Sequence, residues 1–376
     1  MTLNLAIVVP GGVDRSGERR VVPLVLALLG QLTVRNSVHV FALKQEPRPA
    51  EWMLRGARIH NVGTRRGVHR VVRAILREHR ARPFDVVHAL WGGAGALSAA
   101  LAARFARVPL LVHLAGGELV ALHDIGYGMA RRAHWRVLNR WVLAQAARVT
   151  AASAPMLELA AASGVRAQRV PLGIDVSTWP ARDPEPRAAG EPARLIQVGS
   201  LNRVKDHATT LHALTALRAR GVAFHADFIG EDTLRGEVQA LAAALGVDDA
   251  CRFHGFLTQD ELRPLMERAH VNVISSRHEA GPAVALEAAL AGVPTVGTHV
   301  GHLAEWSPTA ARTVRVGDAP GLSVQIETLL GDDDLRLRVA RDAQARALAE
   351  DARHTARLFE RTYAEVARNF RTVPAS

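Results

Sequence analysis

The stretch VNVISSRHEAGPAVALEAALAGVPTV, residues 271–296, has the clearest secondary-structure pattern in the chain. The apolar run Val271–Ile274 leads into a loop that holds Glu279. Gly281-Pro282 then opens a helical stretch that ends near Gly292, with the proline and glycine placed as is typical at helix boundaries. The stretch therefore predicts a strand, a loop and a helix, which is the repeating unit of a parallel sheet covered by helices.

The same alternation recurs on both sides of this stretch. Short apolar runs, each followed by a helix-like segment, predict strands at residues 3–9, 38–43, 58–62, 85–90, 109–114, 148–153, 169–171, 194–199, 224–230, 251–256, 271–275, 294–298 and 313–316. Few hairpin signals interrupt the series. The pattern predicts an α/β protein with two parallel-sheet domains, because 376 residues exceed what one core usually holds.

The segment between the two series is rich in proline, charge and small residues and is typical of an interdomain linker. We therefore predict a first domain at 1–177, a linker at 178–192, a second domain at 193–354 and a C-terminal helix at 355–376 that packs back on the first domain. Such a pair of domains forms a ligand cleft at the carboxyl ends of the strands. No G-x-G-x-x-G follows the first strand, so a dinucleotide oxidoreductase is not favoured.

Composition narrows the classes of function. No apolar run reaches the roughly 18 residues of a membrane span, and no signal peptide is evident, so we expect a cytoplasmic protein. The single cysteine, Cys251, excludes a disulfide framework and a cysteine-based zinc cluster, and we expect it to be a packing residue. Histidines show no H-x3-H spacing, and Asp332–Asp334 is read as a helix N-cap, so we expect no metal and no cofactor.

The net charge of +11 is concentrated in the first half, where residues 1–180 carry +14 and residues 181–376 carry −3. Two series of arginines fall at helical spacing: Arg66, Arg70, Arg73 and Arg77, and Arg132, Arg136 and Arg140, the latter beside Trp135 and Trp141. Both series are read either as solvated helix faces or as basic helices that contact an anionic membrane or a lipid-linked acceptor. With 5% aromatic residues and no recognisable module, nucleic-acid binding is not expected.

Two segments of the second half have the chemistry of a phosphate site. Glu279 and Glu287 form an E-x7-E pattern around a predicted helix N-terminus, whose free amides at Ala283 and Val284 suit a diphosphate. A carboxylate within the helix can accept hydrogen bonds from a vicinal diol such as ribose. The alternative is a solvated glutamate and a capping glutamate.

The segment LIQVGSLNRVKDHATTL, residues 195–211, ends a predicted strand in Gly199 and places Arg203 and Lys205 before a helix. Cations at this position neutralise a diphosphate. The alternative reading, a solvated charge at a helix start, is weakened because a cation there is mildly unfavourable against the helix dipole.

Together these segments resemble the retaining nucleotide-sugar glycosyltransferases of family 4, the glycosyl transferases group 1, which have the GT-B fold. The matching residues are Gly199, Leu201, Lys205, Glu279, Gly281, Pro282, Leu286, Glu287, Ala288, Gly292 and Pro294. In the first half, Gly11-Gly12 resembles the family's glycine-rich loop, His113–Glu118 its His/Gly-rich acceptor loop, and Pro171–Asp175 the segment that ends its first domain. The resemblance implies two Rossmann-like domains facing each other across a cleft.

The resemblance also implies roles for individual residues. Catalytic roles fall to Glu279 at the transferred sugar, to Lys205 and Arg203 at the diphosphate, and to His113. The donor would be bound by Gly199, Phe256, Gly281, Pro282, Ala283, Val284 and Glu287, and acceptor or phosphate by Gly11, Gly12, Gly116, Gly117 and Glu118. The sequence departs from the family at Ser200, where many members have arginine, and Arg203 is expected to serve instead.

The resulting expectation is a retaining, metal-independent hexosyltransferase that moves a sugar from a UDP- or GDP-sugar to a glycan, lipid-linked or small-molecule acceptor in polysaccharide biosynthesis. Its location would be cytoplasmic, on or near the inner face of the cytoplasmic membrane. Three alternatives stay open: a nucleotide-sugar epimerase of related fold, a catalytically silent sugar-nucleotide-binding subunit, and a membrane-docking scaffold.

Overall fold

The computed structural model describes residues 2–63, 67–188 and 190–372. The chain divides into two compact units, one of Met1–Gly173 with Glu350–Ser376 and the other of Ile174–Ala349. The chain therefore crosses from the first unit to the second and returns, so that its C-terminal segment belongs to the same unit as its N-terminus.

The first unit contains an eight-stranded sheet with the order β3-β4-β2-β1-β5-β6-β7-β8. Its strands are β1 (Asn4–Val9), β2 (Ser37–Ala42), β3 (Ala50–Leu54), β4 (Ala57–Asn61), β5 (Val86–Leu90), β6 (Leu110–Leu114), β7 (Arg148–Ala151) and β8 (Gln168–Arg169). Every pair is parallel except β3 with β4. All six residues of β1 are buried, as expected for a central strand covered on both faces.

Helices cover the first sheet. They are α1 (Pro23–Leu32), α2 (Gly67–Ala81), α3 (Gly93–Ala106), α4 (Ala133–Gln145), α5 (Ala154–Ala162) and, from the C-terminal segment, α13 (Ala352–Thr372), with a 3-10 turn at Met129–Arg131. Phe359 and Tyr363 of α13 belong to the same core cluster as β1 and α1. The hydroxyl of Tyr363 lies 2.7 Å from Nδ1 of His88 on β5, which pairs two polar groups that are both fully buried.

The second unit contains a six-stranded parallel sheet with the order β11-β10-β9-β12-β13-β14. Its strands are β9 (Ala193–Val198), β10 (Phe224–Ile229), β11 (Cys251–Gly255), β12 (Val271–Ile274), β13 (Thr295–Thr298) and β14 (Arg312–Val314). Its helices are α6 (His207–Ala219), α7 (Glu237–Ala244), α8 (Gln259–Glu267), α9 (Ala283–Leu290), α10 (Gly301–Trp306), α11 (Ala319–Gly331) and α12 (Asp333–Ala349), with a 3-10 turn at Asp248–Ala250.

Each of the thirteen predicted strands overlaps an observed strand, and β3 is the strand that the sequence analysis missed. It forms an antiparallel hairpin with β4 through Arg55 and Gly56, which both have positive φ angles. A two-residue turn of this kind usually carries Asn-Gly or Asp-Gly. The Arg-Gly pair lacks that signal, and the alternation in AEWML is short.

The predicted domain boundaries differ from the units that the contacts define. Residues 178–192, predicted as a linker, belong to the second unit, where the amide of Arg182 donates to the carbonyl of Leu290 at 2.8 Å. Residues 350–354, predicted to end the second domain, belong to the first unit. There Arg169 forms a bidentate ion pair with Glu350 at 2.6 and 2.8 Å. Composition indicates a polar segment but does not show which surface it packs against.

Candidate functional site

The second sheet reverses its strand order at β9, which lies between β10 and β12. In parallel α/β sheets, ligands bind at the carboxyl end of the strands at such a reversal. The segments that leave β9 and β12 at this point are residues 199–206 and 275–282. Between them these segments contain three of the predicted catalytic residues and three of the predicted donor-binding residues, namely Arg203, Lys205, Glu279, Gly199, Gly281 and Pro282.

An ion pair joins these two segments. Nζ of Lys205 lies 2.5 Å from Oε1 of Glu279, and both side chains are largely buried. The hydroxyl of Ser276 donates to the same carboxylate oxygen at 2.6 Å. Two residues that lie 74 positions apart in sequence thus form an ion pair at the ends of β9 and β12.

Electrostatics keep Glu279 ionised. Burial by itself would raise the pKa of this carboxyl, but the charge of Lys205 and the hydrogen bonds from Lys205 and Ser276 outweigh it and hold the pKa below its usual range. The site therefore presents a carboxylate and an ammonium group at neutral pH.

Polar side chains fix the positions of the two segments. The hydroxyl of Ser275 lies 2.9 Å from the carbonyl of Lys205 and 2.8 Å from that of Asp206. Nε2 of Gln197 on β9 donates to the same hydroxyl at 3.0 Å. On the other side of β12, the hydroxyl of Thr298 donates to the carbonyl of Ser276 at 2.5 Å. These hydrogen bonds consequently hold in position the two segments that carry Lys205 and Glu279.

Gly199 leaves room for the side chain of Lys205. A Cβ atom at Gly199 would lie 3.0 Å from Cε and 3.2 Å from Cδ of Lys205. A side chain at this position would push the lysine aside by a few tenths of an ångström, and the φ angle of 153° at Gly199 is one that other residues rarely adopt.

The N-terminus of α9 lies next to Glu279 in the chain. Pro282 occupies the N-cap position with an extended backbone and no side-chain cap, and α9 begins at Ala283. The first amides of a helix lack intrahelical acceptors, and together with the helix dipole they favour an anion. Gly301 allows the 279–282 segment to pack closely, since a Cβ there would lie 3.0 Å from Cδ of Pro282.

Glu287 differs from Glu279 in its surroundings. It lies inside α9, is 3% exposed, and burial raises its pKa to about 7 against a weaker opposing effect of a hydrogen bond from Gln259. Gln259 in turn accepts a hydrogen bond from the indole of Trp179 at 2.5 Å. Near neutral pH the carboxyl of Glu287 is thus shared between its protonated and ionised forms.

Two other predicted donor residues lie on the surface. Arg203 forms an ion pair with Glu237 on α7 at 2.9 Å, and both side chains are exposed. Phe256 follows β11 and is 51% exposed. Arg203 therefore does not join the ion pair of Lys205 with Glu279. The sequence pattern placed Arg203 near Lys205 but did not show that its side chain contacts Glu237.

The glycine-rich loop after β1 is built around Gln45. Its amide oxygen accepts from the backbone of Val13 at 2.9 Å. Gly12 has a φ angle of 82°, and a Cβ there would lie 2.6 Å from Cγ2 of Val22. Gly11 lies beside the same Gln45 side chain. The loop therefore has a defined backbone that a side chain at Gly12 would disrupt.

Glu118 organises the loop that follows β6. Its buried carboxyl accepts hydrogen bonds from the amides of Gly92 at 3.1 Å and Gly116 at 2.8 Å. Burial nevertheless raises its pKa above the usual range. A Cβ at Gly117 would lie 3.0 Å from the ring of Tyr127. Glu118 therefore holds the backbone of this loop in place, and its carboxyl is not exposed at the surface.

The structure gives no support to the predicted catalytic role of His113. The residue lies on β6, is fully buried, and its Nδ1 is 2.9 Å from the hydroxyl of Thr150. Its ring packs edge-on against Phe359 of α13. Burial lowers its pKa to about 3, so the imidazole is neutral and does not reach solvent. The resemblance placed His113 in a loop that faces the acceptor, although it lies within the predicted strand 109–114, and its side chain points into the core.

Two other predicted features occupy structural positions. Asp332 accepts from the amide of Leu335 at 2.8 Å, as an N-cap residue of α12 does. Cys251 begins β11, where burial raises the pKa of its thiol to about 12. The residues that sequence reasoning missed are Gln197, Gln259, Ser275 and Ser276. Serines directly after a strand were a signal for the last two, whereas nothing local marked the glutamines.

Comparison with known proteins identifies the family of this chain. A family model described as glycosyl transferases group 1 matches residues 181–346, and one described as a glycosyl transferase 4-like domain matches residues 17–173. Glycogen synthase of Mycobacterium tuberculosis is 30% identical over 297 residues, which are 75% of this chain and 70% of that protein. The chain belongs to the glycosyl transferases group 1 family. It is a glycosyltransferase.

Solved structures show the fold. Sucrose-phosphate synthase from Thermosynechococcus elongatus superposes with a TM-score of 0.78 at 16% identity, covering 97% of this chain and 99% of that one. The Anabaena protein HepE, in complex with UDP and glucose, superposes with a TM-score of 0.75 at 15% identity, covering 96% and 99%. This glycosyltransferase therefore has the GT-B fold that the sequence motifs predicted.

The raised pKa of Glu287 predicts a pH-dependent stability. The carboxyl of Glu287 ionises near pH 4.5 in the unfolded chain and near pH 7 in the folded protein. Its contribution to the free energy of unfolding is therefore complete below pH 4.5 and is lost as the pH rises from there through 7. Glu287→Gln keeps the group neutral, so it should unfold with a higher free energy than the wild type at pH 8. The gain is on the order of 3 kcal/mol, whereas at pH 4.5 the two proteins should differ little.

Chemical denaturation at pH 4.5, 6 and 8 measures this difference. The exposed Glu231 supplies the matched control, and Glu231→Gln should follow the wild type at every pH. Parallel pH profiles for the wild type and Glu287→Gln would show that Glu287 is not held in its neutral form.

Proposed function

We propose that this glycosyltransferase moves a hexose from a nucleoside diphosphate sugar to a hydroxyl acceptor, with retention of anomeric configuration and without a metal ion. The observation that carries the proposal is the 2.5 Å ion pair of Lys205 with Glu279, which lies beside the N-terminus of α9. A fixed cation and free helix amides are what a departing diphosphate requires.

Negative charge develops on the leaving diphosphate as the sugar–phosphate bond breaks, and preorganised positive groups stabilise it. Lys205 provides a full charge, and the first amides of α9, at Ala283 and Val284, provide the helix dipole. Arg203 adds a second cation when it exchanges Glu237 for phosphate. That exchange costs little, because an exposed ion pair contributes at most about 1 kcal/mol.

Glu279 and Glu287 bind different parts of the donor. Glu279 is ionised and accepts hydrogen bonds from hydroxyls of the transferred sugar, once the diphosphate has taken over the charge of Lys205. Glu287, with a pKa of about 7, accepts from the ribose diol as a carboxylate. Phe256, exposed after β11, provides a surface for the base.

Retention follows from attack on the face that the diphosphate leaves. The anomeric C–O bond to phosphate breaks, the acceptor oxygen bonds to the same carbon, and the acceptor proton passes to the departing phosphate oxygen. This route needs no separate carboxylate base. It also explains why the buried pair Lys205–Glu279 serves binding and charge stabilisation rather than proton transfer.

UDP- and GDP-sugars are the donors we propose, and the acceptor is a glycan, a lipid-linked sugar or a small molecule. HepE, which shares the fold, was solved with UDP and glucose, and glycogen synthase is the name of a relative with 30% identity. Both support a nucleotide-linked hexose as the donor class.

Donor binding is tested by thermal unfolding of the wild type with UDP-, GDP-, ADP- and TDP-sugars. A saturating donor at 100 times its dissociation constant stabilises the protein by about 2.7 kcal/mol. Lys205→Ala should weaken donor affinity at least tenfold and lower kcat by about 100-fold or more, because one preorganised charge is lost. If no nucleotide shifts the wild type, the assignment of the donor site fails.

Matched variants separate donor binding from stability. Lys205→Ala leaves Glu279 buried and unpaired, which destabilises the protein by itself. The double variant Lys205→Met/Glu279→Gln removes both charges, and it should fold but not respond to donor. Arg220→Ala is the control, since it removes a cation that follows α6 and pairs with Glu327 of α11, outside the 199–206 and 275–282 segments. It should respond as the wild type does.

Retention and metal independence are tested in one assay with the active donor and an excess of EDTA. We expect turnover to remain within about twofold of the untreated enzyme, because Lys205 and α9 supply the positive charge. Proton NMR of the first product should show the anomeric configuration of the donor. Loss of activity that Mg²⁺ or Mn²⁺ restores, or an inverted product, would contradict the proposed mechanism.

A lipid-linked acceptor agrees with the surface of α4. Arg136 and Arg140 are exposed on it together with Val137, which is 70% exposed, and Trp141, which is 37% exposed. Basic and apolar side chains on one exposed helix are typical of attachment to an anionic membrane surface. No helix among the described residues is long and apolar enough to span a bilayer.

The other predicted basic helix is less suited to this role. On α2, Arg77 pairs with Glu51 and Glu78, and Arg70 donates to the carbonyl of Val62. Arg66 lies outside the described residues. We therefore assign the membrane contact to α4.

Co-sedimentation with vesicles tests this attachment. The wild type should bind vesicles of phosphatidylglycerol more tightly than those of phosphatidylcholine, and 0.5 M salt should weaken binding because it screens surface charge. Arg136→Glu/Arg140→Glu should lower the bound fraction several-fold, whereas Arg73→Glu, on the exposed side of α2, should not. Equal binding of all three proteins would exclude α4 as the contact.

A further inference from the structure

Three potential metal ligands meet on one face of the first sheet, beneath α2. His39 lies on β2, His60 on the neighbouring strand β4, and Glu78 near the end of α2. Their ligand atoms all lie within 4.8 Å of one another. Nδ1 of His39 is 3.0 Å from Nε2 of His60.

The three ligand types are ones that zinc binds. Two imidazole nitrogens and one carboxylate oxygen are a known three-ligand set for Zn²⁺, with water as the fourth ligand. Two nitrogens bound tetrahedrally at about 2.0–2.1 Å lie about 3.3 Å apart, close to the observed 3.0 Å. Both rings must turn so that their nitrogens face the metal instead of each other, and the Glu78 carboxylate must move in to complete the set. His39 and Glu78 are half-buried, which leaves a side of the cluster open to water.

Outer contacts prepare His60 for this role. Its Nδ1 lies 3.1 Å from Oε1 of Glu51, to which it donates its proton. Because the proton of His60 is on Nδ1, its Nε2 carries a lone pair, which is directed towards His39. The carboxylate of Glu51 also orients the ring of His60, as carboxylates do behind metal-bound histidines. Arg77 fixes Glu51 in place with a hydrogen bond of 2.9 Å.

Both imidazoles are neutral, as metal ligands must be. Burial is the main cause that lowers the pKa of His39 to about 4, and burial also lowers the pKa of His60. The rings lie in a fixed aromatic setting, where His60 stacks on Phe41 at 4.7 Å and His39 meets the edge of Phe84 at 5.3 Å. In the metal-free chain the proton of His39 Nδ1 occupies the position that a metal would take.

We propose that His39, His60 and Glu78 bind one Zn²⁺ per chain, which fastens α2 to strands β2 and β4. Glu78 then binds zinc with one carboxylate oxygen while Arg77 donates to the carboxylate at 2.9 Å. Glu78, Glu51 and the Arg77 that pairs with both carry one negative charge together, which offsets part of the charge of the ion. The site shares no residue with the donor site, so it stands independently of the proposed transfer reaction.

Cobalt substitution tests the site directly. The full chain, without a histidine tag, is stripped with a chelator and titrated with Co²⁺. We expect visible d–d absorption that saturates at one equivalent, displacement of that signal by Zn²⁺, and a rise in the melting temperature with Zn²⁺. Absence of a saturable signal, or weak binding at many equivalents, would overturn the proposal.

Variants decide which residues hold the metal. His39→Gln and Glu78→Gln should each abolish the Co²⁺ spectrum and weaken Zn²⁺ affinity at least 100-fold, with the metal-free melting temperature showing that each variant folds. His225→Gln is the matched control, since this exposed histidine lies on β10 in the other unit, and it should bind as the wild type does. Unchanged binding in both ligand variants would place the metal elsewhere.

Discussion

The ion pair of Lys205 with Glu279 is the contact on which the proposed donor site depends. A carboxylate enclosed by protein is costly unless a cation and hydrogen bonds compensate it, and here Lys205 and Ser276 do so. The surrounding hydrogen bonds hold the two segments at the spacing that the pair requires. Because Gly199 and Gly301 carry no side chain, the lysine and the 279–282 segment can approach closely. The ends of β9 and β12 are thereby joined into one site.

The surroundings of Glu279 and Glu287, which lie eight residues apart, shift the pKa values of their carboxyl groups in opposite directions. Glu279 has a cation at 2.5 Å, which holds its pKa down, whereas Glu287 faces Gln259 within a buried part of the unit, which raises its pKa to about 7. Shifted pKa values of neighbouring acids are common at functional sites and also arise in structural ion pairs. The E-x7-E motif records the spacing of these residues but not their charge states.

Much of the fold was predictable because its signals are local. Apolar runs bounded by glycine and proline identified thirteen strands, and their alternation with helices required parallel sheets. β3 was missed, since its Arg55-Gly56 turn lacks the usual hairpin residues. The unit boundaries were misplaced because burial, which composition does not report, decides them. Residues 350–354 belong to the first unit, where Arg169 pairs with Glu350.

The sequence by itself determined the fold class and the family, and it marked Lys205, Glu279 and Glu287 as candidate site residues, because these predictions depend on residue type and on spacing within short segments. Only the tertiary structure decided which side chains meet. It buried His113 in the core, paired Arg203 with Glu237, and brought His39, His60 and Glu78 together from two strands and a helix. Such contacts depend on strand order and on which face a side chain occupies, and neither quantity is a property of any local stretch of sequence.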